Sequence, residues 1–177
     1  MYIIIGSVVG LLFILVTIIS IYHNKFQFCI IKIDEAENNI GVLLDKKREL
    51  LERTRPIIKK ELKLEEFLEK INDWDSNNFN HFEINSILKD CSYDLFKLLK
   101  KKKKLYKSES LVSIIEELND NEDMIVGSIN YYNDNVVEFN KLVVSFPSKL
   151  IAFLFRYKKK QFHNNEKREM YEILNEK

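Results

Sequence analysis

The first 22 residues, MYIIIGSVVGLLFILVTIISIY, carry no charged side chain and are apolar nearly throughout, and they constrain the chain more than any other stretch. At about 1.5 Å per residue such a helix is roughly 33 Å long, enough to cross a hydrocarbon core of about 30 Å. It reads as a transmembrane anchor, which makes the lipid bilayer the first expected partner. A secretory signal would need basic residues ahead of the apolar run, a shorter apolar core and a small-residue cleavage site. Here no Lys or Arg precedes the run, whereas Lys25, Lys32, Lys46, Lys47 and Arg48 follow it. Positive flanks tend to stay on the cytoplasmic side. The expectation is a single-pass protein of the cell (inner) membrane, with its amino terminus outside and its body in the cytoplasm. Gly6 and Gly10 stand in G-x-x-x-G spacing, which lets two helices approach closely. Chance also produces that spacing in so apolar a run, so self-association stays open beside a protein partner.

The remaining residues, about 155, are the ordinary size of one domain. The 28 Lys and Arg balance 27 Asp and Glu to a formal charge of +1, so no whole-chain field draws nucleic acid, and none is expected as a partner. Only 4 Gly and 2 Pro occur, too few turn formers for a sandwich or barrel of many short strands. Cys29 and Cys91 form no C-x-x-C and no extracellular disulfide framework, which fits a reducing compartment.

Helical spacing runs through the body. Ile33, Ala36, Ile40, Leu43, Lys47, Leu50, Thr54 and Ile57 fall at steps of three and four, so they share one face of a first helix. Pro56 is expected to kink or end that helix near Arg55. Leu64, Phe67, Leu68, Ile71 and Trp74 give a shorter second helix that stops in DSNNFN. A third helix runs from about His81 to Leu105, with Ile84, Ile87, Leu88, Cys91, Leu95 and Leu98 inward. The most regular pattern is the fourth: Leu111, Ile115, Leu118, Glu122, Ile125, Ile129, Tyr132, Val136, Phe139, Val143 and Phe146. It is a seam of coiled-coil type, ended by Pro147. Helices joined by short polar connections pack antiparallel, so the fold expected is all-α: an N-terminal transmembrane helix followed by an antiparallel four-helix bundle. The boundaries read as 1–22 for the anchor, 23–162 for the bundle and 163–177 for a charged tail, in which a frayed helix is one reading.

The run YYNDNVVEFNKLVVSFPSKLIAFLFRYKKKQF, residues 131–162, resembles the signature end of the LemA family. The family's paired aromatic-Asn units appear as Tyr132-Asn133 and Phe139-Asn140, and its Phe-Pro as Phe146-Pro147. Its Ile-Ala appears as Ile151-Ala152, and its basic-aromatic close as Tyr157 through Phe162. At the front, His23-Asn24 stands where the family has Tyr-Asn, and Ile33 and Ala36 match its Val-x-x-Ala. Residues 40–50 follow its first-helix pattern, with Lys46 and Lys47 as the basic pair. The family's Leu-Ile-Pro is here Leu50-Leu51-Glu52, Ile129 replaces an Arg usual before the first Tyr-Asn, and residues 64–98 find no residue-by-residue match. The resemblance implies a bacterial single-pass membrane protein with a cytoplasmic helical bundle, in a family without an established catalytic activity. It also tilts the reading toward membrane organisation.

Lys47 and Glu122 both occupy inward positions of otherwise apolar seams. Lys47 lies 24 residues after His23 and Glu122 lies 24 before Phe146, so if both ends sit near the membrane each is roughly 36 Å along its helix and the two come level. A buried ion pair that fixes register is one reading. The other is that Lys47 snorkels to water and Glu122 faces a groove. Asn133 and Asn140 recur seven apart beside inward Tyr132 and Phe139, placed to bond a neighbouring helix or a ligand, with bundle packing the plainer role. Past Pro147, Phe153, Phe155, Arg156, Tyr157, Lys158, Lys159 and Lys160 join Leu150, Ile151 and Leu154 in an aromatic-basic stretch. If the fourth helix returns to the membrane, this stretch lands at headgroup level against anionic lipid; packing on the bundle is the alternative.

Chemistry finds no foothold. Lys97, Lys100 to Lys104 and Lys107 lack the interleaved aromatics of a nucleic-acid surface and read as a solvated helix tip. His23, His81 and His163 are scattered with no metal spacing, and no phosphate loop or nucleophile elbow occurs. Adjacent acids such as Glu65-Glu66 and Glu116-Glu117 belong on solvated faces. No catalytic residue, metal or cofactor is expected. Two function classes follow: a membrane-tethered interaction or organising scaffold, or an accessory or adaptor subunit of a membrane-associated enzyme such as a protease.

Overall fold

The computed structural model describes residues 1–62, 80–102, 104–105 and 108–163. It is all-helical: α1 (Tyr2–Leu62), α2 (His81–Lys101), α3 (Glu109–Val144) and α4 (Ser148–Leu154). The helix expected over residues 64–74, the acidic pair Glu65-Glu66, most of the DSNNFN turn and the tail 164–177 lie outside the described residues. So do Lys103 and Lys107.

The apolar run and the first body helix are one element. α1 passes without a break through His23 and, of the kink or end expected near Arg55, does not end there: Pro56 lies inside it. A proline removes one backbone donor and crowds the carbonyl four residues back. Here the flanking turns are held by burial, since Leu50, Leu51, Thr54 and Ile58 are all in the core. The positions from Ile33 to Thr54 named for the inward stripe are buried as well, while Ile57 is only half-buried and Ile58 takes its place.

α2 begins on a capping box. Asn80 Oδ1 accepts from the backbone N–H groups of Phe82 and Glu83, and the Glu83 carboxylate accepts from Asn80 N–H at 3.1 Å. It ends at Lys101, earlier than the expected Leu105, with Lys102 N–H closing on Leu98 and Leu99 carbonyls. Ile84, Leu88, Cys91 and Leu95 are inward; Ile87 and Leu98 are half-buried, and Phe96 and Leu99 complete the face.

The seam of α3 is buried at every named position from Leu111 to Phe139. It then stops. Val143 is half-buried, and Phe146, expected inward, is 84% exposed. The reason is local: α3 ends at Val144, so the helical period no longer aims Phe146 at the seam. After the turn, Ser148 Oγ donates to Ser145 O at 2.8 Å and α4 begins, so a short helix occupies the first part of the aromatic-basic stretch.

Two compact units emerge. One joins residues 1–36 to 131–162; the other joins 37–130 to His163. In the second, α1 and α3 run antiparallel: Asn39 meets Ser128, Leu43 meets Asn121, Lys47 meets Glu122 and Arg53 meets Glu117. Its core includes Ile40, Leu44, Leu88, Leu95, Leu118 and Ile125. In the first, Phe26, Cys29 and Ile33 of α1 belong to a core with Tyr132, Val136 and Phe139 of α3 and Ile151 and Ala152 of α4.

Candidate functional site

Within the second unit, Lys47 Nζ donates to Glu122 Oε2 at 2.5 Å, with the Lys47 side chain 1% exposed and that of Glu122 10%. Burial pushes the Lys47 ammonium below its ordinary value; Glu122 pulls it back up by charge and hydrogen bond, and Lys89 presses it down further. One turn away on α1, the Leu43 carbonyl accepts from Asn121 Nδ2 at 3.0 Å. Adjacent α3 side chains therefore bond two successive levels of α1, the geometry that a register lock would need.

Within the first unit, the chain after α4 folds back onto α1. α4 closes in a Schellman turn: Tyr157 N–H donates to Ala152 O and Arg156 N–H to Phe153 O, with Arg156 left-handed at φ 57°. Glycine is the usual residue there, because a Cβ in that conformation costs roughly 1–2 kcal/mol. Phe155 then lies tilted against His23, ring centroids 4.5 Å apart. Tyr157 packs on Phe26 at 4.6 Å and accepts from Gln27 Nε2 through its hydroxyl at 2.9 Å.

Asn140 clamps the next turn of chain. Its Nδ2 donates to Lys160 O, and its Oδ1 accepts from Lys160 N–H, each at 2.9 Å. Tyr132 donates its hydroxyl to Gln161 O at 3.2 Å, and Lys160 Nζ pairs with Asp34 at 3.3 Å. Tyr132, Phe139 and Asn140 thus hold the 157–162 segment, while Asn133 is half-buried on the same helix and Pro147 half-buried at the turn. Asn140→Ala should lose both bonds to Lys160, about 1–3 kcal/mol locally. Hydrogen exchange at the Lys160 amide should rise accordingly; an unchanged rate would mean that the clamp is not what orders the segment.

The aromatic-basic residues divide by environment. Phe153 is 87% exposed and Leu154 62%; Arg156, Lys158 and Lys159 are exposed, and Tyr157 and Lys160 are half-buried. The near-zero net charge hides a segregation that the sequence does contain. Residues 1–33 and 139–162 hold eight of the 28 Lys and Arg and none of the 27 Asp and Glu, so the rest of the chain has 20 against 27, a net of −7. The left-handed Arg156 and the Asn140 clamp carry no such signal.

Among the described residues no three His, Cys, Asp or Glu side chains converge on a metal position. Cys29 and Cys91 are buried and not joined in a disulfide, and burial together with the Glu138 charge pushes the Cys29 thiol up, away from a reactive thiolate.

The class defined by this architecture is an α-helical bundle whose first helix is, at its amino-terminal end, long and apolar enough to cross a membrane. The LemA family model matches residues 36–173, and the chain belongs to the LemA family. The motif resemblance is thereby borne out, and the family is not a known enzyme family. No curated protein matches the chain.

Proposed function

We propose that this LemA-family chain is a single-pass, membrane-tethered scaffold that organises lipid or protein partners at a cell membrane and catalyses no reaction of its own. Residues 1–22 act as the anchor, 23–162 as the bundle and 163–177 as a charged tail. The amino terminus faces outward and the bundle lies in the cytoplasm at the inner membrane. The observation that carries the reading is the continuity of α1, whose charge-free end runs as one helix into Phe26, Cys29 and Ile33 of the bundle core. Such a joint holds the unit built on those residues at the lipid surface, which a flexible tether would not do.

Protease added to sealed cells should leave the bundle intact, and the same protease should digest it in inverted vesicles. Digestion in sealed cells would overturn the orientation. Crosslinking the intact protein in its native membrane separates the two function classes: self-association or lipid alone supports the scaffold, whereas one dominant enzyme partner, a protease for example, would make it an accessory subunit.

A further inference from the structure

We propose that α4 and the segment after it form a docking surface for the anionic leaflet beside the anchor, with Phe153 and Leu154 inserted at the acyl boundary and Arg156 contacting headgroup phosphate. This rests on the membrane-tethered reading and names the lipid class that the surface selects.

Position is the first support. The Phe155 ring lies against His23, the residue that follows the charge-free run, so the segment is pinned at the level where α1 leaves the apolar stretch. Exposed apolar side chains are the second. Phe146, Leu150, Phe153 and Leu154 project from one short turn-and-helix, more than a water-facing surface of that size ordinarily carries. Charge is the third. No acid occurs between Phe139 and Phe162, and among the described residues Lys149, Arg156, Lys158 and Lys159 form no ion pair; Lys160, by contrast, is spent on Asp34.

The backbone at Arg156 adds a separate argument. A left-handed position that glycine would occupy without strain is held by an arginine, and its charge is displayed at the end of the apolar helix. Arginine suits phosphate because its planar fork donates two parallel bonds. Aromatic and aliphatic side chains beside a basic cluster are what an interfacial segment needs to bind anionic lipid, and an acidic protein groove would leave Phe153 and Leu154 without an apolar layer to enter.

The test uses the full chain in lipid nanodiscs, with Phe153→Trp in a Trp74→Phe background and brominated acyl chains as quencher. In discs containing phosphatidylglycerol the emission of the introduced indole should shift to the blue and be quenched several-fold more than in phosphatidylcholine alone, and added salt should reduce the difference. Arg156→Gly should clearly reduce the difference while helicity and tryptic protection of the 158–160 segment stay the same or improve, because glycine relaxes the turn. A purely structural arginine would not give that split. Equal quenching in both discs would overturn headgroup selection and leave the tether standing. No quenching in either disc, with the anchor shown inserted by protease protection, would overturn the docking surface altogether.

Discussion

Lys47→Met is expected to destabilise the detergent-solubilised chain by about 3–5 kcal/mol, because it leaves the Glu122 carboxylate buried beside an apolar side chain. The ion pair itself is not the source of that number. Withdrawing two charges from water roughly cancels their attraction, so the loss is the desolvation left uncompensated when one partner goes. The double variant Lys47→Met, Glu122→Leu should therefore recover most of the loss, and a double-mutant cycle should show strong coupling at this 2.5 Å contact. Denaturant unfolding followed by circular dichroism reads both.

The pH dependence has a definite sign. Burial sets the Lys47 value in the folded chain below its ordinary 10.5. Between the two values the unfolded chain binds more protons, so this residue makes stability rise with pH across that window, and Lys47→Met should abolish its contribution. A single variant within about 0.5 kcal/mol of the parent would show that water or another side chain compensates Glu122, contrary to the register lock.

Phe26→Ala should have the second largest effect, about 3–5 kcal/mol for removing a fully buried phenyl group that packs edge-on against Phe139 and tilted on Tyr157. Its consequence is local as well as global. Tyr157 loses the surface it rests on, and the chain from Phe155 to Gln161 is held otherwise by the Gln27, Asn140, Tyr132 and Asp34 contacts and the tilted contact of Phe155 with His23. Trypsin should cut at Arg156, Lys158 and Lys159 markedly faster than in the parent, while hydrogen exchange at Leu88 and Ile125 changes less. If cleavage there kept the parental rate, the aromatic cluster would not be what folds the segment onto α1.

Much of this was legible in the residue pattern. Steps of three and four marked the inward faces of α1, α2 and α3 because burial follows helical period wherever a helix stays regular, and only small departures arose at Ile57, Ile87 and Leu98. The pattern failed where regularity ended. Phe146 continued the spacing of α3 on paper, but the helix stops at Val144, and spacing has no meaning beyond a helix end. Of the two outcomes expected of Pro56, a kink or an end, the end did not occur: its local penalty was outweighed by core packing on both sides, a quantity that local sequence does not contain. At the site, Lys47 and Glu122 stood out as charges in apolar seams. Their meeting depends on how α1 and α3 align, which levels counted along two helices suggest and only packing sets.

By itself the sequence determined the helical class, the charge-free run of residues 1–22, the inward faces and the acid-free basic interval from Phe139 to Phe162, since each is a property of residues near one another along the chain. Tertiary structure decided that Asn140 closes on the Lys160 backbone, that Phe155 and Tyr157 settle on α1 beside His23, Phe26 and Gln27, and that Arg156 takes a left-handed turn. Those outcomes join residues 20 to 134 positions apart or depend on the turn that brings them together. Chain closure over such separations is opposed by entropy and directed only by the shapes and donors that happen to meet, so no local pattern encodes it.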